Sequence, residues 1–114
     1  MDPTVANLHT LAPGVDYLAW QFINRARAEL GFPAVITSGR RTLLQQQRLL
    51  TAGRTTTLGS LHLSGRAFDV DAYGWNRDAV PAWAYQELGE LGEAMGLTWG
   101  GRWISFRDVG HFQI

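Results

Sequence analysis

The stretch SLHLSGRAFDVDA, residues 60–72, carries the strongest structural signal in the chain. Its second half alternates between apolar and acidic residues, which is the pattern of a strand with one face in the core. A loop that turns at Gly65 precedes this strand and can bring the His62 imidazole next to the Asp69 carboxylate. An imidazole and a carboxylate that converge in this way indicate a metal site.

The rest of the sequence predicts helices and short strands without a repeating βαβ pattern, which favours an α+β fold with a small antiparallel sheet. Asp16 and Asp78 are the expected N-caps of the first and third helices. In the second helix the leucines are expected to face the core, namely Leu43, Leu44 and Leu50. We predict three helices, at 16–30, 42–52 and 78–95, and strands at 34–38, 66–72, 111–114 and, around a glycine turn, within 99–106.

Length and composition indicate one domain, residues 1–114, with a loose segment at residues 1–12. We expect this domain to be a monomer. The chain has no cysteine, so a zinc ion would have only nitrogen and oxygen ligands. No apolar run is long enough for a membrane span, and we find no signal peptide at the N-terminus.

The net charge is zero, which gives no support to a nucleic-acid partner. All ten basic residues are arginine, and seven of them lie from Arg25 to Arg66, where Glu29 is the only acidic residue. The simpler interpretation is a preference for arginine on solvated helix faces. The alternative is an electropositive wall that receives an anionic substrate.

A second imidazole, His111, follows the candidate base Asp108 by three residues near the C-terminus. Together with His62 and Asp69, His111 would leave a zinc ion one open coordination position, as in catalytic zinc sites. Asp108 could accept the proton of an attacking water and later protonate a leaving amine. We interpret His9 as a structural histidine.

Three segments resemble the M15 family of zinc peptidases, which cleave peptidoglycan peptides. Residues 60–69 match the pattern SxHxxGxAxD of that family. Residues 36–46, ITSGRRTLLQQ, are similar to its SGYRSxxxQ segment. Residues 99–113 are similar to WGGDWxxFxDxPHF, which is typical of the branch that contains phage L-alanyl-D-glutamate endopeptidases.

The resemblance implies a fold like that of the hedgehog and DD-peptidase proteins, with one Zn²⁺ per chain. It implies His62, Asp69 and His111 as the zinc ligands and Asp108 as the general base. It also implies Arg41 as the arginine that stabilises the substrate carbonyl as it becomes an oxyanion.

Two substrate contacts and three departures from the family pattern remain open. Ser60 either binds the substrate backbone or caps the turn before the first ligand, and Gln46 either faces the cleft or is solvated. Arg40 and Arg102 replace a tyrosine and an aspartate, so they are expected to add positive charge near the cleft. Gly110 replaces a proline and is expected to loosen its segment.

The expected function is zinc-dependent hydrolysis of peptidoglycan stem peptides by an L-alanyl-D-glutamate endopeptidase that acts as a phage or prophage endolysin. The alternatives are a D-alanyl-D-alanine carboxypeptidase and a non-catalytic, zinc-stabilised module that binds the cell wall. The resemblance and the lack of a signal peptide together predict accumulation in the cytoplasm and action on the wall after release through a holin.

Overall fold

The computed structural model describes residues 2–54, 60–74, 79–105 and 107–114. Four strands form one antiparallel sheet in the order β1-β2-β4-β3, and helices pack against it, so the predicted α+β class is confirmed. No helix within these ranges is long and apolar enough to cross a bilayer. The elements are α1 (Thr4–Leu8), α2 (Val15–Leu30), β1 (Ala34–Ser38), α3 (Leu43–Thr51), a 3₁₀ turn (Leu61–Ser64), β2 (Ala67–Ala72), α4 (Ala82–Ala94), β3 (Thr98–Trp99), a second 3₁₀ turn (Gly100–Arg102) and β4 (His111–Gln113).

Strand β2 lies in the interior of the sheet, between β1 and β4, and its alternation separates the core from the site. Phe68 and Val70 are fully buried on one face, where α2 covers the sheet. There the Phe22 ring lies 4.7 Å from the ring of Phe112, measured between centroids. The opposite face of β2 presents Asp69, so the strand that builds the core also carries a polar side chain to the other side.

Helix α2 begins at Val15 with Gly14 as its N-cap, so the prediction that Asp16 is the N-cap is wrong. The Asp16 carboxylate lies in the first turn instead, where it accepts hydrogen bonds from the backbone N–H groups of Gly14 and Tyr17. An acidic side chain in the first turn still stabilises the positive end of the helix dipole. The predicted end at Gly31, in the left-handed conformation, is confirmed.

The N-terminal segment differs from the loose chain expected for residues 1–12. Helix α1 packs on β1, with Thr4 and Leu8 buried. The Thr4 hydroxyl accepts a hydrogen bond from the Ile36 N–H at 3.0 Å, and the Asn7 amide donates to the Ile36 carbonyl at 2.9 Å. These side chains satisfy the outward N–H and carbonyl of Ile36 on β1, which is an end strand of the sheet formed by the described residues.

Helix α3 turns a different face to the core from the one expected. Thr42 and Gln45 form a capping box at its start. Gln46 is fully buried on the inner face of α3. Its amide oxygen there accepts a hydrogen bond from the guanidinium of Arg41, which needs a polar partner. The prediction of inward leucines is therefore wrong, since these side chains are 39–56% exposed, namely Leu43, Leu44 and Leu50.

A strand was expected at residues 104–106, but Ile104 and Ser105 make an exposed bend instead, and Phe106 lies outside the described residues. The short strand β3 ends at Trp99, which is buried against α4. Helix α4 begins after Pro81, and the predicted N-cap Asp78 also lies outside the described residues.

Candidate metal centre

The sheet and the first 3₁₀ turn bring the three predicted metal ligands together. Asp69 on β2 and His111 on β4 are direct partners in the strand register, so their side chains leave the same face of the sheet. His62 lies in the turn that leads into β2. One ligand atom from each residue lies within 4.8 Å of the others.

The ligand atoms form a nearly equilateral triangle. His62 Nε2 lies 3.3 Å from His111 Nδ1 and 3.4 Å from Asp69 Oδ1, and the third side is 3.2 Å long. A tetrahedral zinc ion with bonds of about 2.0–2.1 Å holds its ligand atoms roughly 3.3 Å apart. The triangle therefore has the size that such an ion requires.

Hydrogen bonds behind the two imidazoles direct their lone pairs into the triangle. The Nδ1 atom of His62 lies 2.8 Å from the carbonyl oxygen of Gly39, which can only accept, so Nδ1 carries the hydrogen and Nε2 the lone pair. The Nε2 atom of His111 donates to the amide oxygen of Gln113 at 2.8 Å, which leaves the lone pair on Nδ1. Two lone pairs and the Asp69 carboxylate thus converge, and a cation fits this donor set.

The electrostatics of the metal-free site also favour positive charge at this point. Burial raises the pKa of Asp69, but hydrogen bonds from His111 and His62 outweigh it and hold the pKa well below its ordinary value. Burial lowers the pKa of His111, and the hydrogen bond and charge of Asp69 outweigh this effect, so the pKa is raised. A proton between Asp69 and His111 is therefore favoured where a metal ion would otherwise lie.

Arg41 orients the carboxylate ligand. Its Nη2 donates to Asp69 Oδ2 at 2.9 Å and its Nη1 to Gln46 Oε1 at 3.3 Å. Oδ2 is thereby engaged, and Oδ1 is the oxygen that faces the two imidazoles. Gln46 is buried behind this arginine, so it is neither solvated nor open to the cleft, in contrast to both alternatives considered from the sequence. Ser60 caps the turn, because its hydroxyl accepts from the His62 N–H at 3.2 Å.

Asp108 lies in the turn that leads into His111. Its N–H donates to the Gly100 carbonyl at 3.1 Å, and its Oδ1 accepts from the Gly110 N–H at 3.2 Å. The Asp108 charge contributes to the raised pKa of His111. Gly110 was expected to loosen this segment, but its N–H, which proline lacks, holds the Asp108 carboxylate, and its carbonyl accepts from the Val70 N–H at 2.8 Å.

The two additional arginines have local partners of different kinds: the acidic Glu93 balances the charge that Arg102 was expected to add to the cleft, whereas Arg40 bonds a neutral carbonyl and keeps its charge. Arg102 forms an ion pair with Glu93 at 2.9 Å and lies 5.3 Å above the Trp99 ring. Arg40 donates to the Ser64 carbonyl at 3.0 Å and so supports the turn that carries His62.

Two supporting residues were missed from the sequence. Gln113 follows His111 by two positions on a strand, so the alternation of side chains could have placed both on one face. Gly39 acts through its backbone carbonyl, and no sequence pattern indicates that contact.

Comparisons with known proteins agree with this site. An M15 peptidase family model described as D-alanyl-D-alanine carboxypeptidase matches residues 53–114, more than half of the chain. The peptidoglycan L-alanyl-D-glutamate endopeptidase CwlK of Bacillus subtilis (strain 168) is 27% identical over 113 residues, covering 81% of this chain and 66% of the relative. The L-alanyl-D-glutamate peptidase of Listeria phage A118 is 29% identical over 114 residues, covering 97% of this chain.

This chain spans only 40% of the length of the phage relative. Among solved structures, the L-Ala D-Glu endopeptidase ChiX of Serratia marcescens superposes with a TM-score of 0.71 at 28% identity, covering 97% of this chain and 85% of that one. A variant of the vancomycin-resistance D,D-pentapeptidase VanY in complex with Zn(II) shares the fold, with a TM-score of 0.70 at 19% identity. This match covers 90% of this chain and 71% of that one. The family match, the shared fold and the convergent His–Asp–His set lead to one conclusion: the chain belongs to the M15 peptidases.

Proposed function

We propose that this protein is a zinc-dependent endopeptidase that hydrolyses the bond between L-alanine and D-glutamate in peptidoglycan stem peptides. The observation that carries the proposal is the triangle of His62, Asp69 and His111, with sides of 3.2–3.4 Å and both imidazole lone pairs directed inward. The choice of bond is supported by the names of three relatives, CwlK, the phage peptidase and ChiX.

The donor set of two nitrogens and one oxygen suits zinc at a catalytic site. A zinc ion held by these residues would supply a Lewis acid and lower the pKa of a water molecule. The chain's own contribution is to fix the ligands: Gly39 and Gln113 set the two imidazole tautomers, and Arg41 sets the carboxylate.

Asp108 is the proposed general base. It precedes His111 by three residues, and the hydrogen bond from Gly110 fixes its Oδ1. It accepts a proton from the attacking water and delivers it to the departing amine of D-glutamate. Arg41 uses one hydrogen on each terminal nitrogen for Asp69 and Gln46, so the second hydrogens are left to stabilise the substrate oxyanion.

A D-alanyl-D-alanine carboxypeptidase is the second candidate, because the matching family model carries that description. Such an enzyme needs a cation that grips the terminal carboxylate of the substrate. Of the two arginines that depart from the family pattern, Arg102 has its charge balanced by Glu93, whereas Arg40 keeps its charge and is held by the Ser64 carbonyl. A module that binds the wall without cutting it would have no use for the tethered Asp108 carboxylate.

The test uses disaccharide tetrapeptides and pentapeptides with zinc-loaded protein, and the new termini are identified by mass spectrometry. The proposal expects a free L-alanine carboxyl end, loss of turnover in Asp108→Asn, and unchanged turnover in the matched control Asp16→Asn. Release of D-alanine alone would assign the carboxypeptidase activity instead. Zinc and wall binding without any released peptide would leave only the non-catalytic module.

The biological role proposed here is that of a phage or prophage endolysin, a monomer that accumulates in the cytoplasm and reaches the wall after holin release. The phage relative supports this role. Expression in a bacterial host with and without a holin tests it, since lysis is expected only with the holin. Light scattering after size-exclusion chromatography tests the monomer.

A further inference from the structure

A groove of about 520 Å³ lies beside the metal centre, between the end of β1, the C-terminal end of α1 and the length of α3. Four arginines line it, and no acidic residue does. Leu49 and Ala52 add apolar surface from α3. The four arginines, called the arginine groove below, are Arg40, Arg41, Arg48 and Arg54.

Little in the surrounding chain neutralises these charges. Residues 30–68 contain no aspartate or glutamate at all. Arg41 is paired with Asp69, so one of the four positive charges is balanced and three remain. In the part of the chain that the structure describes, Arg48 and Arg54 are exposed and form no ion pair. A concave wall of one sign raises the local potential and attracts anions.

The arginine groove adjoins the metal centre through two of its lining residues. Arg41 donates to the ligand Asp69, and the Gly39 carbonyl accepts from the ligand His62. A peptide whose scissile bond lies at the metal centre could therefore extend one of its two sides into this groove.

We propose that the arginine groove binds the carboxylates on the leaving side of the stem peptide, that is, the free α-carboxylate of D-glutamate and the side-chain carboxylate of a following diaminopimelate. This inference rests on the proposed function. On the other side of the scissile bond the stem peptide offers only L-alanine and a lactyl ether, which carry no negative charge. The guanidinium fork binds carboxylates with two parallel hydrogen bonds, and Leu49 contacts the methylene groups between them.

Binding of the leaving-side tripeptide γ-D-glutamyl-diaminopimelyl-D-alanine to zinc-loaded protein tests the groove without any turnover, because this peptide lacks the L-alanine bond. Calorimetry is expected to give a dissociation constant about threefold higher for Arg48→Gln and for Arg54→Gln, and about tenfold higher for the double variant. The control Arg25→Gln, which removes the same charge from α2, is expected to stay within twofold of wild type. A tripeptide in which the D-glutamate α-carboxylate and the diaminopimelate side-chain carboxylate are amidated, while the D-alanine carboxylate is kept, is expected to bind wild type about tenfold more weakly.

Thermal unfolding of each variant verifies that the fold is intact. Equal binding of the acidic and amidated tripeptides, or wild-type affinity in the double variant, would overturn the assignment. Loss of heparin binding in the double variant with unchanged tripeptide binding would also overturn it, in favour of a site for another polyanion. Cleavage of the L-alanine bond tests the proposed function separately, since groove binding can be found without cleavage and cleavage without groove binding.

Discussion

Replacing Gln113 by methionine removes the hydrogen-bond acceptor of a proposed metal ligand while keeping the length of the side chain. The Gln113 amide oxygen accepts from His111 Nε2 at 2.8 Å, and His111 is 7% exposed, so no solvent can replace this bond fully. Loss of an outer partner of a metal-bound histidine weakens metal binding by about 10- to 100-fold. In free energy this is about 1.4–2.7 kcal/mol.

The same loss can be followed by thermal unfolding. At a free zinc concentration 1,000 times the wild-type dissociation constant, zinc adds about 4.1 kcal/mol to the free energy of unfolding. The variant would retain about 1.4–2.7 kcal/mol of this stabilisation. For a domain of this size, each kcal/mol corresponds to about 4 °C in Tm, so the zinc-induced rise in Tm should be about 6–11 °C smaller.

The assay combines zinc titration against a chromophoric chelator with thermal unfolding in the presence and absence of zinc. Gln47→Met, on the exposed face of α3, is the matched control and should behave like wild type in both measurements. A zinc affinity of Gln113→Met within twofold of wild type would refute the role of Gln113 in setting the tautomer of His111.

Three further predictions address the base, a backbone turn and pH. Asp108→Asn should lower kcat by about 10²- to 10⁴-fold in the peptide assay, whereas elemental analysis should still find one zinc per chain. Gly65→Ala should lower the free energy of unfolding by at least about 2 kcal/mol in urea titrations, because φ is +72° and a Cβ atom would lie 2.8 Å from a backbone nitrogen before α2. In the control Gly14→Ala φ is also positive, at +88°, but the added Cβ atom would meet open space. This variant should therefore lower the free energy of unfolding only by the conformational cost, and an equal decrease in both variants would contradict the close approach at Gly65. Burial lowers the pKa of His111, but Asp69 raises it more, so this pKa lies above the ordinary value of 6.5. Because zinc binds only the unprotonated imidazole, zinc affinity measured against a chelator should fall as the pH drops through the raised pKa. In metal-free protein this raised pKa stabilises the fold below pH 6.5, and denaturant titrations should detect the loss of that contribution as the pH rises.

The sequence predicted those elements whose signal is local. Strand β1 is predicted at residues 34–38 and is found there, because the segment between Pro33 and Gly39 is rich in β-branched residues. The alternation in β2 correctly separated Phe68 from Asp69. The three side chains that the family pattern singles out, His62, Asp69 and His111, do converge in the structure, and their role as zinc ligands stays a prediction.

The features that the sequence did not reveal depend on contacts between distant segments. Helix α3 turns a glutamine inward and three leucines outward because Arg41, which lies before the helix, needs Gln46 as a partner. Hydrophobic periodicity assumes an apolar partner and fails in this case. Arg102 likewise pairs with Glu93 on α4, nine residues earlier in the chain. The residues next to Arg102 in the sequence therefore do not show that its charge is balanced away from the cleft.

The register of β4 on β2 has a consequence for the dynamics of the chain. Asp69 and His111 are 42 residues apart and meet only when these strands are paired, so the ligand set exists only in the closed sheet. A bound ion would therefore hold β4 in its pairing with β2. Because β4 has only three residues, this pairing would otherwise open easily. Amide hydrogen exchange in β4 should slow on zinc binding while exchange in α2 is much less affected, so that occupancy of the metal centre reports the closure of the sheet.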